Sequence, residues 1–190
     1  MNRPTMPDDE PIVLLLRALR FAADKHRDQR RKDTHQSPYV NHLIQVVELL
    51  CTVGGVQDGA TLAAAALHDT LEDTATTAAE LESWFGADVA ALVMEVTDDR
   101  RLPQATRKQL QIECAAHASP RAKLIKIADK CCNLADIVQA PPATWSLERR
   151  REYAQWCARV MAGLRGTNAA LEAAFDERLH AAQRALGLNE

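Results

Sequence analysis

Residues 62–73 read LAAAALHDTLED, and this stretch decides the fold class. Four consecutive alanines between leucines strongly favour a helix, and the pattern predicts one that opens near Asp58 and runs to about Asp73. The whole chain of 190 residues has the same bias, with 33 alanines against seven glycines and five tyrosines and phenylalanines together. Such a composition favours helices and disfavours strands. The sequence therefore predicts an all-α protein.

Start and stop signals on both sides of this stretch predict eight or nine helices in all. Ser37-Pro38 and Ser119-Pro120 each combine a capping residue with a proline at the first helical position, Thr77 and Glu80 have capping-box spacing, and Ser146 is a further predicted cap. No repeat or compositional break divides the chain, which predicts one compact helical domain over residues 11–190 after a flexible segment, residues 1–10. The predicted helices span 12–29, 38–53, 58–73, 77–85, 87–97, 103–118, 120–139, 146–166 and 167–187.

Charge and cysteine content exclude several classes of protein. The 23 lysines and arginines against 26 aspartates and glutamates give a net charge of −3, which argues against a nucleic-acid or anionic-membrane binder. The apolar run Ile12 to Leu16 is too short to span a bilayer, and the acidic residues before it are unlike a signal peptide. Five cysteines without regular spacing indicate free thiols in a reducing compartment, so we expect a cytosolic protein; the sequence leaves its oligomeric state open.

The polar end of the opening stretch carries an unfavourable cluster of charge. Three carboxylates, Asp69, Glu72 and Asp73, follow His68 within five residues, at spacings where they repel one another. They also lie at a predicted helix C-terminus, where the macrodipole disfavours negative charge. A bound cation would reverse the sign of both effects, and imidazole with carboxylate suits manganese, iron or zinc.

Two further residues are candidates for completing such a site. His42 follows a Pro-Tyr segment, and Asp129 interrupts an otherwise apolar helical stretch, where an acidic side chain usually has a partner or a ligand. Taken singly, His42 fits a hydrogen-bonded histidine better than a ligand, and Glu72-Asp73 fits a solvated helix end. Their occurrence together in one chain makes a metal site the stronger hypothesis.

Six ordered motifs carry a resemblance to a known family. They are HRDQRRKD (26–33), SPYVNHL (37–43), AALHDTLEDT (65–74), WFGADVAALVMEVTDD (84–99), LIKIADKCCNLADI (124–137) and WSLERRREYAQWCARVMAGLRGTN (145–168). In these motifs the chain resembles the HD superfamily of metal-dependent phosphohydrolases, and within it the hydrolase domain of RelA/SpoT proteins. It is most similar to the stand-alone small alarmone hydrolases, which include the metazoan SpoT homologues.

The resemblance implies an enzyme that removes the 3′-pyrophosphate of guanosine tetraphosphate or pentaphosphate, (p)ppGpp, giving GDP or GTP and pyrophosphate, with one Mn²⁺ ion. By position, it implies a catalytic pair, Glu72 and Asp73, and four metal ligands, His42, His68, Asp69 and Asp129. Family substrate contacts fall on Arg31, Lys32, Asn133, Arg149 and Tyr153. Because the chain is net acidic, local basic residues must attract the anionic substrate, and Lys130 joins the predicted substrate contacts for that reason, with Arg30 and Lys126 nearby.

Departures from the family pattern leave substrate preference open. Leu43 stands in place of a proline, Gln104 in place of a lysine and Ala135 in place of an arginine, and Cys131-Cys132 replaces a bulkier pair. One alternative is an HD phosphohydrolase acting on another ribose-phosphorylated nucleotide such as NADPH. Another is a module that binds the alarmone without cleaving it. A di-iron oxygenase is disfavoured because the extra ligands for a second metal are missing.

Overall fold

The computed structural model describes residues 10–188, which form ten α-helices, one 3₁₀ turn at Ala115–His117 and no strand beyond a single β-bridge between Arg30 and Pro38. The helices are α1 (Pro11–Lys25), α2 (Val40–Thr52), α3 (Gly59–Leu67), α4 (Thr70–Asp73), α5 (Ala78–Phe85), α6 (Ala87–Val96), α7 (Gln104–Cys114), α8 (Pro120–Gln139), α9 (Leu147–Leu164) and α10 (Ala169–Leu186). The predicted all-α class is confirmed. Apart from Glu10, the segment predicted to be flexible lies outside the described residues.

The third predicted helix is interrupted at the His68-Asp69 pair. α3 ends at Leu67 and the single turn of α4 begins at Thr70, whose hydroxyl donates to the Leu67 carbonyl at 2.6 Å. This side-chain hydrogen bond competes with the backbone hydrogen bonds of the helix and changes the direction of the backbone between α3 and α4. With α3 and α4 counted as one interrupted helix, the described residues contain nine helices, within the predicted number.

The region between α1 and α2 differs from its prediction. The first helix ends at Lys25, not near Gln29, and the second begins at Val40 with Tyr39, not Ser37, as its N-cap. The reason is a local backbone pairing that closes this loop: the Arg31 amide donates to the Ser37 carbonyl at 2.8 Å, and the Tyr39 amide to the Gln29 carbonyl at 3.2 Å. These backbone groups are therefore not available to either helix.

Three of the predicted caps are confirmed. The side chains of Thr77, Ser119 and Ser146 each accept a hydrogen bond from the backbone amide three residues ahead. Glu80 does not return to Thr77 as a full capping box requires. Its carboxylate instead pairs with Lys25 of α1 at 2.8 Å and ties α5 to the first helix.

The alanine-rich helix α3 lies at the centre of the fold. Every residue from Thr61 to Leu67 is buried, and α3 contacts α1, α2, α6 and α8. A helix covered on all faces must be apolar around its whole circumference, as this one is. Its C-terminal end delivers the His68-Asp69 pair beside α2 and α8. The buried side chains of these helices form one hydrophobic core, and a single domain over 11–190 stays a prediction. Among residues 10–188, no helix has the length and apolarity needed to cross a bilayer.

The five cysteines are free thiols and fall into two groups. Cys51 and Cys114 are exposed, whereas Cys131, Cys132 and Cys157 are buried, and burial raises the pKa of Cys131 to about 11 and those of Cys132 and Cys157 to about 12. Because the thiolate is the reactive form, we expect iodoacetamide at about pH 7.5 to modify only the two exposed thiols of the native protein. Mass spectrometry of the alkylated chain checks this. Rapid labelling of Cys157 without denaturant would contradict the buried core.

Candidate active site

Two histidines and two aspartates from three parts of the chain meet in one cluster. His42 lies on α2, His68 and Asp69 lie between α3 and α4, and Asp129 lies on α8. The ligand atoms of His42, His68 and Asp69 all lie within 4.8 Å of one another. Asp129 Oδ1 lies 3.2 Å from His42 Nε2 and 3.8 Å from His68 Nε2. The structure thus brings together the four residues predicted as metal ligands.

His68 has the arrangement expected of a metal-binding histidine. His68 Nδ1 lies 2.8 Å from the Ala65 carbonyl, which can only accept, so Nδ1 carries a proton and Nε2 faces the cluster. Among the described residues that buried Nε2 atom has no hydrogen-bond partner, and it lies 3.1 Å from Asp69 Oδ2. A buried ring nitrogen turned toward carboxylate oxygens fits a site for a divalent cation.

Asp129 is held from both sides by its own helix. Lys130 Nζ donates to Asp129 Oδ2 at 2.7 Å, and Asn133 Nδ2 donates to Oδ1 at 2.6 Å. Burial opposes ionisation of Asp129, yet Lys130 and the two histidine rings hold its pKa well below the usual range. Burial alone would lower the pKa of Lys130. The attraction of the adjacent Asp129 carboxylate is stronger, so the pKa of Lys130 is raised. Asp129 is therefore a fixed carboxylate in a buried ion pair.

Asp69 has a partner outside the predicted site. The Tyr39 hydroxyl donates to Asp69 Oδ2 at 2.5 Å. Burial and the Asp69 charge raise the pKa of Tyr39 well above its ordinary value, so the hydroxyl keeps its proton and remains a donor. The arrangement is typical of an outer-shell residue that orients a metal-binding carboxylate.

The Glu72-Asp73 pair lies one turn beyond Asp69 on α4, and two arginines pair with it. Arg107 of α7 donates to Glu72 Oε1 at 2.9 Å, and Arg100 donates to Asp73 Oδ1 at 2.5 Å. Gln29 donates to the other Asp73 oxygen at 2.9 Å. Burial, followed by the charges of neighbouring carboxylates, raises the pKa of Glu72. A carboxyl with a raised pKa is a stronger proton acceptor than an ordinary glutamate.

A single cavity of about 750 Å³ joins these groups. Its volume lies in the range of small-molecule and cofactor sites. One wall is aromatic, with Trp145, Tyr153 and Trp156 in sequence at centroid separations of 5.4 Å and 5.3 Å. All residues predicted for the site line this cavity: Arg31, Lys32, His42, His68, Asp69, Glu72, Asp73, Asp129, Lys130, Asn133, Arg149 and Tyr153.

Some predicted substrate contacts already have partners within the protein. Arg31 pairs with Asp136 and reaches Asn133 Oδ1 at 3.3 Å, so it is fixed at the cavity wall rather than free in solvent. Lys130 and Asn133 both bond to Asp129. Arg149 lies over the Trp145 ring at 4.5 Å.

Several side chains of this site were not predicted from the sequence. They comprise Gln29, Tyr39, Arg100 and Trp145. Arg107, three residues after the Gln104 departure, binds Glu72 directly. Gln29 and Tyr39 lie inside two of the motifs quoted above, and that position was the one signal available for them. Trp156 belongs to the hydrophobic core, at 9% exposure, and also lines the cavity.

Residues 18–169 match the model of the HD domain family. The chain belongs to the HD-domain family. Among characterised relatives, the human protein named guanosine-3′,5′-bis(diphosphate) 3′-pyrophosphohydrolase MESH1 is 54% identical over 161 residues, which cover 85% of this chain and 90% of that protein. The MESH1 proteins of Xenopus tropicalis and Drosophila melanogaster are 52% and 49% identical, over 86% and 88% of this chain and 92% and 93% of theirs.

Two solved structures are similar to this chain. The structure of a metazoan SpoT orthologue, described as hydrolysing ppGpp and acting in starvation responses, superposes with a TM-score of 0.87 at 46% identity and covers 98% of this chain and 99% of that one. A second structure, from Listeria monocytogenes, superposes with a TM-score of 0.63 at 27% identity, over 77% of this chain and 99% of that one. The family resemblance seen in the sequence motifs is confirmed.

Proposed function

We propose that the protein hydrolyses the 3′-pyrophosphate of (p)ppGpp, releasing pyrophosphate and GDP or GTP, with one divalent cation, Mn²⁺, at the His-Asp cluster. The observation that carries the proposal is the shared cavity, where a four-residue ligand cluster, a pair of carboxylates and basic and aromatic side chains face one space. The names of the relatives at 49% to 54% identity support the same substrate.

The residues present fit the cation. His42, His68, Asp69 and Asp129 would hold it, because two imidazole nitrogens and two carboxylates form the mixed set that suits manganese. The buried Nε2 atom of His68 argues for this assignment, since it faces Asp69 and Asp129 and makes no hydrogen bond among the described residues. When bound, the cation supplies Lewis-acid chemistry, neutralising phosphate charge and lowering the pKa of water.

We assign different tasks to the two carboxylates. Both oxygens of Asp73 accept hydrogen bonds, from Gln29 and Arg100, which makes Asp73 a fixed element of the site. Among the described residues, Glu72 receives its hydrogen bond from Arg107 at Oε1, and no bond reaches Oε2. Glu72 Oε2 therefore has the free lone pairs to orient the attacking water and to accept its proton.

The anionic substrate would bind the basic side of the cavity. Arg31 and Lys130 would contact the substrate while paired with Asp136 and Asp129, and Lys32 would add a further positive charge. Tyr153 and the Arg149 guanidinium that lies over Trp145 offer flat surfaces for the guanine base. The Asn133 side chain accepts a hydrogen bond from Arg31 and donates one to Asp129. A contact between Asn133 and the substrate would therefore have to share or replace one of these two hydrogen bonds.

A turnover assay tests the proposal. We expect pyrophosphate release from ppGpp with added Mn²⁺, and its loss after chelation by EDTA and return on readdition of Mn²⁺. NADPH serves as the competing substrate. Phosphate release from NADPH without cleavage of ppGpp would move the function to another nucleotide, and binding of ppGpp without any product would favour the non-catalytic module. A cytosolic location stays a prediction.

A further inference from the structure

His26 is a buried histidine that has no role in the chemistry proposed above. It follows α1 directly and is 2% exposed, and no acidic side chain within residues 10–188 bonds to it. Its Nε2 atom is buried and has no hydrogen-bond partner in the same part of the chain. Burying an imidazole with one nitrogen unsatisfied is unfavourable, so the other nitrogen and the ring face must account for its presence.

The other nitrogen of His26 belongs to a chain of hydrogen bonds with one consistent direction. The Asp73 carboxylate can only accept, so the Gln29 side chain turns its Nε2 toward Asp73 Oδ2, at 2.9 Å. Its carbonyl oxygen then faces His26 Nδ1 at 2.6 Å. An amide oxygen is also an acceptor, so the His26 proton must be on Nδ1. The Asp73 carboxylate therefore sets the direction of the whole chain, and the His26 proton completes it at the other end.

The ring face of His26 supports the second acidic residue of the site. Its ring stacks on Tyr39 with a centroid separation of 4.9 Å and an interplanar angle of 26°. The Tyr39 hydroxyl holds Asp69 Oδ2. One residue thus contacts both side chains that orient the site's carboxylates: Gln29, which orients Asp73, and Tyr39, which orients Asp69.

We propose that His26 is a positioning residue: its Nδ1–H fixes the Gln29 amide in the orientation that donates to Asp73, and its ring supports Tyr39 against Asp69. The catalytic consequence rests on the proposed function, whereas the tautomer and the stacking do not. His26 does not line the cavity, so it acts only through these two neighbours.

Substitutions of His26 separate the hydrogen bond from the stacking. Phe keeps a flat ring against Tyr39 but has no donor, so we expect His26→Phe to lower kcat for ppGpp by about tenfold to a hundredfold, with little change in KM or Mn²⁺ affinity. Asn places an amide donor near the position of Nδ1, and Gln places one near Nε2. We therefore expect His26→Asn to recover much of the lost kcat and His26→Gln not to.

A double substitution tests whether His26 acts through Gln29. Gln29→Leu should lower kcat, and His26→Phe added to it should lower kcat no further, because the same hydrogen-bond chain is already broken. His180, which is exposed on α10, gives the matched control, and His180→Phe should leave kcat unchanged. The proposal would be overturned if the fold-losses in kcat of the two single variants multiplied in the double variant. An unchanged kcat in His26→Phe would also overturn it.

A measurement on the unsubstituted chain needs no turnover. In protein labelled with ¹⁵N-histidine and supplied with diamagnetic Mg²⁺, long-range ¹H–¹⁵N spectra should show His26 with its proton on Nδ1, the resonance being assigned by its loss in His26→Asn. A proton on Nε2 alone would overturn the proposal, whether or not the variants fold. Absence of ppGpp cleavage by the unsubstituted protein would refute the proposed function and leave this tautomer test standing.

Discussion

Asp129→Asn is expected to remove nearly all activity and much of the stability of the protein. The asparagine amide lacks the negative charge that would hold the cation beside the two histidines. Metal ions stabilise transition states by several kcal/mol, so we expect kcat/KM to fall by roughly 10³-fold. It also leaves the Lys130 ammonium, 6% exposed, without its carboxylate partner. Removing one member of a buried ion pair costs about 3–5 kcal/mol of unfolding free energy.

Two measurements separate the effects of this substitution. Urea unfolding gives the stability change, and Mn²⁺ titration followed by electron paramagnetic resonance gives the affinity. Asp88→Asn is the matched control, because Asp88 pairs with Arg121 on the surface, with a side chain 64% exposed. We expect it to change the unfolding free energy by less than about 1 kcal/mol and to leave Mn²⁺ binding unaltered. Unchanged Mn²⁺ affinity in Asp129→Asn would remove Asp129 from the ligand set.

Helices and caps could be predicted because their signals are local. Ser119-Pro120 and Ser146 each predict a helix start from a few neighbouring residues, and α8 and α9 begin directly after these two serines. The break at His68-Asp69 could not be predicted in this way. No proline or glycine occurs between residues 60 and 73, and both residues of the pair keep backbone angles in the right-handed helical region. The interruption arises from the Thr70 side-chain bond, which composition does not reveal.

The ligands of the candidate site were easier to predict than the residues that orient them. His68, Asp69 and Asp129 are conspicuous because a charged or imidazole group in an apolar helix requires a partner. Gln29, Tyr39 and Arg107 are ordinary in their local context. Their tasks come from hydrogen bonds to residues 44, 30 and 35 positions away, respectively. Those contacts arise only in the folded chain, which brings the loop between α1 and α2, and helix α7, to residues 69–73.

Glu72→Gln is expected to abolish most of the activity while leaving metal binding intact, unlike Asp129→Asn. Gln retains the length of the side chain and can accept from Arg107 through its amide oxygen, so the packing of α4 against α7 should persist. Its amide cannot take a proton from water, which predicts a loss of about 10²- to 10⁴-fold in kcat. KM for ppGpp should change little, because the substituted group acts on the water and not on the nucleotide.

Comparison with Asp73→Asn tests which of the two carboxylates, Glu72 or Asp73, accepts the proton from water. Both Asp73 oxygens receive donors from Gln29 and Arg100, and an amide can accept only at its oxygen, so this variant should disturb the site geometry. We expect a smaller loss of kcat than in Glu72→Gln, because no proton is transferred to Asp73. Glu177→Gln on the exposed face of α10 is the control and should match the unsubstituted protein. A larger loss in Asp73→Asn would reverse the assignment and make Asp73 the proton acceptor.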